Sequence, residues 1–309
     1  MTSPKIAVVG SYVVGMTMRT PRFAVVGESL IGTDFDMGPG GKGSNQAIGA
    51  ARLGAQVNLL EKIGKDIFAQ EAMNFYISEG MDTQDIIQDP DSYTGVAFIT
   101  LNQAGENLIV VDVGANERLT PEDVDAFQPV IAASDVMMTM LEIKAEPAAR
   151  AMALGKAAGA ITILNPAPAR PLPDSIYKDV DVLTPNETEL KILLGMAPDE
   201  PGDVVELARA IQKRGVESVV VTRGEAGALV VHPDGKVTEV PGIKVDVVDT
   251  TGAGDAFNAA LGTALGEGRS LVDAARFAVV AGGLCCTKLG VIPGLPFREE
   301  VDARLNSPK

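Results

Sequence analysis

The chain has 309 residues, 46% hydrophobic and 22% charged, enough for one large α/β domain or two small ones with a soluble surface. A formal net charge of −15 makes double-stranded nucleic acid and anionic membranes poor partners for the whole surface. Two adjacent cysteines, Cys285 and Cys286, and a single histidine, His232, exclude a disulfide framework, a thiolate metal cage and a histidine-based triad. An anionic small molecule remains a possible ligand where amide groups, a lysine or a metal offset the field.

In chain order, "KIAVVG" at the N-terminus is too short for a signal peptide, and no run approaches membrane-spanning length. A reduced, cytoplasmic protein is the expectation. Strands are predicted over 6–10, 57–64, 135–141, 161–166, 181–186 and 218–224. Helical patterns lie between them, near 44–53, 66–79, 121–132, 147–158, 187–195 and 203–214. Such alternation predicts an α/β fold, a Rossmann-like doubly wound, mostly parallel sheet with helices on both faces. Ligands of such sheets sit at the carboxyl ends of the strands. Residues 11–38 and 93–113 read instead as strands without helices, the second turning as a hairpin at "NQAGEN". They form a small separate layer, either a plain β-extension or a lid over the site, within one domain spanning 1–309.

Two glycine-rich stretches precede helices. In "VDTTGAGDAFNAALG" (248–262), Gly252, Ala253 and Gly254 stand at a helix N-terminus, where amides lack intrahelical partners and the dipole favours negative charge. Asp255 in that position is either a simple N-terminal cap or a base that takes a proton while the amides hold charge on a transferred group. The second stretch is "GPGGKGSNQAIGAARLG" (38–54). It is no Walker A loop, since Gly43 rather than Ser or Thr follows Lys42, and it misses the dinucleotide fingerprint. Lys42 and Asn45 offer donors to a polyhydroxylated ligand, or belong to a tight turn and helix cap.

Together, "GGKGSNQA" and "DTTGAGDAFNAAL" resemble the two signatures of the ribokinase-like sugar kinases, the phosphofructokinase-B type. "LNPAPARPLPD" (164–174), "LTPNETEL" (183–190) and "PFREEVDARL" (296–305) extend the likeness from about residue 5 to about 305. The resemblance implies transfer of the γ-phosphoryl group of ATP to a hydroxyl of a pentose or related sugar or polyol. It makes Asp255 the catalytic base, with Gly252, Ala253 and Gly254 as anion hole. Gly41, Lys42, Asn45 and Glu142 match sugar-binding positions, although Glu142 alone reads as a solvated acid after a strand. Asn186 and Glu189 match an element that organises Mg²⁺ and phosphate largely through water, although Asn186 alone reads as a turn or cap residue. Thr222, Gly224 and Gly227 in "TRGEAG" match the nucleotide loop. Asp249, Thr251, Cys285, Lys288, Gly290 and Gly294 match the surroundings of a monovalent cation, K⁺. A homodimer through the lid strands follows from the same resemblance.

The sequence departs from the family in "GSYVVG": Val13 stands where an asparagine is expected and Gly15 where an aspartate is expected. Where the family often carries a serine near its cation this chain has Gly294, and where the family carries a polar residue beside adenine it has the apolar Val279. Ribose is therefore expected to be a poor substrate. Two rival readings are a nucleoside or sugar-phosphate kinase, with Arg19 and Arg22 near a substrate phosphate, and an inactive sugar-sensing protein. Retention of Asp255, the glycine hole and Asn186 with Glu189 together argues against the sensor, which needs no base.

Overall fold

The computed structural model describes residues 3–104 and 106–306, so Gly105 of the expected hairpin turn lies outside the described residues. From the N-terminus, β1 (Lys5–Val9) leads into β2 (Val13–Arg19) and β3 (Thr33–Gly40), and the chain returns through α1 (Lys42–Arg52) to β4 (Gln56–Ile63). Next come α2 (Ile67–Ser78), β5 (Ile86–Gln88), β6 (Gly95–Leu101) and β7 (Asn107–Asp112). Two short helices, α3 (Pro121–Ala126) and α4 (Gln128–Ala132), precede β8 (Val136–Met140), α5 (Ala145–Ala158), β9 (Ile161–Asn165) and β10 (Val182–Leu183). The C-terminal part holds α6 (Glu187–Leu193), α7 (Val204–Gln212), β11 (Ser218–Thr222), β12 (Ala228–Val231) and β13 (Val237–Val240). It ends with α8 (Ala253–Gly266), α9 (Leu271–Cys285), α10 (Val291–Gly294) and α11 (Arg298–Asn306).

Local chemistry sets many of these boundaries. Asp66, Asp203 and Ser270 cap α2, α7 and α9 by accepting from the third backbone amide of each helix. The continuous helix expected over 121–132 is two helices, parted at Phe127. Pro129 follows two residues later, and its nitrogen has no proton to continue the ladder.

A nine-stranded sheet runs in the order β13-β12-β11-β10-β9-β8-β1-β4-β5. The strands from β11 to β5 pair in parallel, while β12 and β13 add antiparallel at one edge. Alternate residues of β1 serve opposite cores: Ile6 and Val8 pack with residues of α1, α8 and α9, whereas Ala7 and Val9 pack with residues of α3, α5 and α7. A strand buried on both faces reads as a continuous apolar run, which is what "IAVV" shows. The chain leaves β1 towards β4 on one side and later places β8 on the other. The carboxyl ends of β1 and β8 thus flank a topological switch point, where a crevice opens.

Over that end stands a four-stranded sheet of order β3-β2-β6-β7. Its base is fixed by Asn116, whose Oδ1 accepts from the Tyr12 amide at 3.0 Å and whose Nδ2 donates to the Tyr12 carbonyl at 2.7 Å. Val14 belongs to the main core, with Met16 and Val96 packed against it, so the inner part of this face is seated on the body, while Phe98, Val110 and Leu108 further along the same face stay exposed.

Candidate active site

Gly41, with φ 91°, starts α1; a Cβ there would lie 2.8 Å from the Ser11 carbonyl oxygen and the Val13 nitrogen. Only glycine combines that backbone with so close an approach. The helix therefore begins hard against the end of β1, and its first residues reach the crevice. The Lys42 amide donates to Glu142 Oε2 at 2.7 Å, and Ser11 Oγ donates to the same oxygen at 2.7 Å. Ser11, which the sequence reading did not single out, thus ties the end of β1 to the acid that follows β8.

Gly252, at φ 83°, turns the chain into α8 with no room for a side chain, since a Cβ would meet Val291 Cγ1 at 2.6 Å. A Cβ built on Gly254 would meet nothing within 4 Å, so the approach to the helix mouth is clear. Among the described residues nothing accepts from the Gly252 or Gly254 amides, whereas the Ala253 amide donates to the Thr250 carbonyl at 3.2 Å. The anion hole expected from three residues thus offers two open donors, with Ala253 engaged in the turn.

Asp255 is 6% exposed, and its carboxylate is aimed by α1. Asn45 Nδ2 donates to Oδ2 at 2.8 Å and Gln46 Nε2 donates to Oδ1 at 3.2 Å. Gln46 also donates to Asn165 Oδ1 at 3.1 Å, and Asn165 Nδ2 donates to the Thr184 carbonyl at 3.1 Å, so the network reaches β9 and the end of β10. Asn45 Oδ1 and Gln46 Oε1 are buried without a partner among the described residues. Orphaned acceptors of this kind beside a carboxylate are what a hydroxylated ligand would satisfy.

Charge converges on Lys42. Asp255 holds its ammonium above the ordinary lysine value, against burial, and Glu142 and Glu189 add to the rise. Burial pushes the carboxyls of Glu142 and Glu189 up, with Lys42 opposing in both cases. Three carboxylates sharing one ammonium leave this corner acidic. Among the described residues no three His, Cys, Asp or Glu side chains converge closely enough to cage a metal ion.

Asn186 and Glu189 form a reciprocal capping box at α6: each side chain bonds the other's amide at 2.8 Å. Glu189 Oε1 and Asn186 Nδ2 stay outside that exchange. Thr222 ends β11 beside Asn186, and its amide donates to the Pro185 carbonyl at 3.0 Å. Gly224 has open space where a Cβ would stand, while Gly227 lies against Val240, whose carbonyl a Cβ would meet at 2.2 Å.

The loop before α8 is braced by Asp249. Burial raises its carboxyl, but hydrogen bonds from the Thr251 hydroxyl and amide and from the Gly290 amide prevail and hold it below the ordinary value. Arg19 of β2 adds to that lowering, whereas Arg22 is paired bidentately with Glu28. Cys285 Sγ lies 3.7 Å from the Thr251 carbonyl, and a Cβ on Gly294 would lie 2.9 Å from the Cys285 carbonyl. Burial pushes the Cys285 thiol up to about 12, so it supplies no thiolate. Lys288 turns outward to Glu300 at 2.9 Å.

The family model described as pfkB family carbohydrate kinase matches residues 3–298. The chain belongs to the pfkB family of carbohydrate kinases. This pfkB-family protein is 37% identical to a ribokinase of Haemophilus influenzae, over 96% of both chains. It is 40% identical to a deoxyribokinase of Salmonella typhi, over 82% of each. A structure of Arabidopsis thaliana ribokinase complexed with ribose and ATP superposes with a TM-score of 0.91 at 29% identity, covering 99% of this chain and 100% of that one. As a pfkB-family member, the chain is an ATP-dependent sugar kinase, and the expected mostly parallel α/β fold is the one observed. Among the described residues no helix is long and apolar enough to cross a membrane.

Proposed function

We propose that the chain transfers the γ-phosphoryl group of ATP to a hydroxyl of a pentose, with Asp255 as the base. The observation that carries the reading is the setting of Asp255: a buried carboxylate aimed by Asn45 and Gln46 at the mouth of α8, beside two open amides. The sugar lies against Gly41, Lys42, Asn45 and Glu142, and Ser11 holds Glu142 in place. As the sugar oxygen attacks phosphorus, its proton passes to Asp255 and the bond to the leaving ADP breaks. The Gly252 and Gly254 amides meet the charge on the transferred oxygens, a preorganised role that operates most strongly where water is excluded. Thr222, Gly224 and Gly227 flank the nucleotide.

The acidic surroundings of Lys42 fit a nucleotide that arrives with a divalent cation. Asn186 and Glu189 would hold Mg²⁺ through water, where it neutralises phosphate charge. The Thr251 carbonyl, Asp249 and the 285–294 loop offer hard oxygens that fit K⁺, which would order the anion-hole turn. In a coupled ADP-release screen of pentoses, ketoses, polyols and nucleosides, a pentose is expected to give the highest turnover, faster in potassium than in sodium or lithium. Equal rates in all three salts, with residual potassium excluded, would remove the cation role. ADP release with no pentose would sink the proposal.

A homodimer through the small sheet belongs to the same reading. Phe98, Leu108 and Val110 are 57%, 50% and 60% exposed on one of its faces, and among the described residues β3 and β7 are its open edges. Open edges with apolar flanks are ordinarily covered. Light scattering at micromolar concentration is expected to give twice the chain mass, and Phe98→Glu to halve it; a monomeric parent contradicts this.

A further inference from the structure

The network that aims Asp255 continues past Asn165 and closes on itself. After β10, the Thr184 hydroxyl donates to Asn258 Oδ1 at 2.5 Å, and Asn258 Nδ2 donates to the Gly254 carbonyl at 2.8 Å. The path that leaves Asp255 through Gln46, Asn165 and Thr184 thus returns to the residue before Asp255. It crosses α1, β9, the end of β10 and α8. All four linking side chains are buried, Thr184 and Asn258 to 1% exposure each.

Both ends of this ring are groups that only accept, an ionised carboxylate and a backbone carbonyl. They dictate the direction of every bond between them. Gln46 has to present its NH₂ to Asp255, and the second proton of that group goes to Asn165 Oδ1. Asn165 then meets the Thr184 carbonyl with its own NH₂. From the other end, Asn258 has to present its NH₂ to Gly254, which turns Oδ1 towards Thr184 and makes the hydroxyl the donor. None of the three amides can turn over without losing both of its bonds.

The anchored atom matters because Gly254 has little else to hold it. It carries no side chain, and a Cβ built on it would meet nothing within 4 Å. Glycine in open space has wide backbone freedom. Asn258 removes that freedom at the peptide joining Gly254, an open amide of the anion hole, to Asp255. Stability alone does not require a polar ring here. Replacing both partners of a buried hydrogen bond by apolar groups of the same shape can be nearly neutral.

We propose that Asn258 and Thr184 are positioning residues for phosphoryl transfer: Asn258 fixes the Gly254–Asp255 peptide, and Thr184 fixes Asn258. The inference rests on the reading of Asp255 as base and of the Gly254 amide as part of the anion hole.

The test takes Asn258→Leu, Thr184→Val, the double variant and Thr184→Ser, with the pentose that turns over fastest as substrate. Asn258→Leu is expected to lower kcat roughly 10- to 100-fold, the scale of a small misplacement of reacting groups, with KM for sugar and ATP little changed. Affinity for ADP with aluminium fluoride, a mimic of the phosphoryl group in transfer, is expected to fall by a similar factor while ADP alone binds as before. Thr184→Val leaves Asn258 Oδ1 unpaired and lowers both kcat and the urea midpoint, and Thr184→Ser restores both. The double variant removes both polar partners and regains the midpoint, yet it is no faster than Asn258→Leu, because Thr184 acts through Asn258. A double variant whose kcat recovers with its midpoint would make the ring merely structural and overturn the inference. A loss confined to KM overturns it as well. If Asn258→Leu does not fold, unchanged kcat in folded Thr184→Val is the overturning result. Normal kcat in folded Asn258→Leu overturns the inference alone, whereas near-normal turnover by folded Asp255→Asn removes the base reading and the inference with it.

Discussion

Asp255→Asn is expected to leave the fold intact and to lower kcat by roughly 10²–10⁴-fold, the usual share of a positioned general base. Asparagine keeps the shape of the side chain and removes its capacity to take a proton. Its amide would face two donors, Asn45 Nδ2 and Gln46 Nε2, where the carboxylate faces them now. Asn45 can resolve that conflict by turning its own amide over, because its Oδ1 is buried and without a partner among the described residues. The denaturation midpoint should therefore stay close to the parent's while turnover collapses, and KM for the sugar should change less than kcat. Near-normal turnover by a folded variant would take Asp255 out of the base role. Loss of sugar affinity with kcat preserved would make it a binding residue instead.

The second large effect concerns stability rather than chemistry. Glu61 of β4 is fully buried, and burial pushes its carboxyl up to about 8, opposed by the Tyr76 hydroxyl that donates to Oε1 at 2.8 Å. Its other oxygen has no partner among the described residues. In the unfolded chain the group titrates near 4.3. Between those two values the folded chain holds a proton that the unfolded chain has released, so stability falls as pH rises, by about 1.4 kcal/mol per unit for this one group. The contribution is fully present below the unfolded value and is lost once pH passes the folded one. Glu61→Gln removes the titration while keeping the shape and the acceptor for Tyr76. Urea denaturation at pH 5, 6, 7 and 8 should show the variant gaining on the parent at each step and levelling off above pH 8, a total on the order of several kcal/mol. A difference that stays constant across the range would mean that Glu61 does not titrate there.

The parts of the site that were legible in the sequence are those where a residue type is costly outside a special role. Glycine at positive φ before α1 and before α8 marks both helix mouths, and the carboxylate of Asp255 so close to open amides asks for an explanation. Asn186 and Glu189 show how far such legibility goes: the structure gives them a capping box, the bland reading of Asn186, and leaves only one atom of each for anything further. Gln46 was missed because it sits among small apolar residues in "NQAIGAA", where an amide looks like any other helix position; only the crossing of α1 and α8 brings it to Asp255. Ser11 was missed for the same reason, since its partner Glu142 is 131 residues away. Apolar, β-branched runs gave β1, β4, β8, β9, β10 and β11 of the parallel sheet but not the three-residue β5 at its edge, which is too short to show a run. Nor did they give the antiparallel edge of β12 and β13.

Asn116 has a consequence for how the small sheet can move. Its carboxamide grips both backbone groups of Tyr12, the residue between β1 and β2, while Asn116 itself follows β7. The two excursions of the chain that build the sheet, one leaving β1 and one leaving the β5 edge, are therefore riveted at a common point. β2 and β6 are also laced along their whole length. With Thr94, just before β6, also held by Asp66, the sheet is clamped at its base and laced along its length, so any tilt would carry Val13, Gly15, Ala97 and Val111 together as one plate.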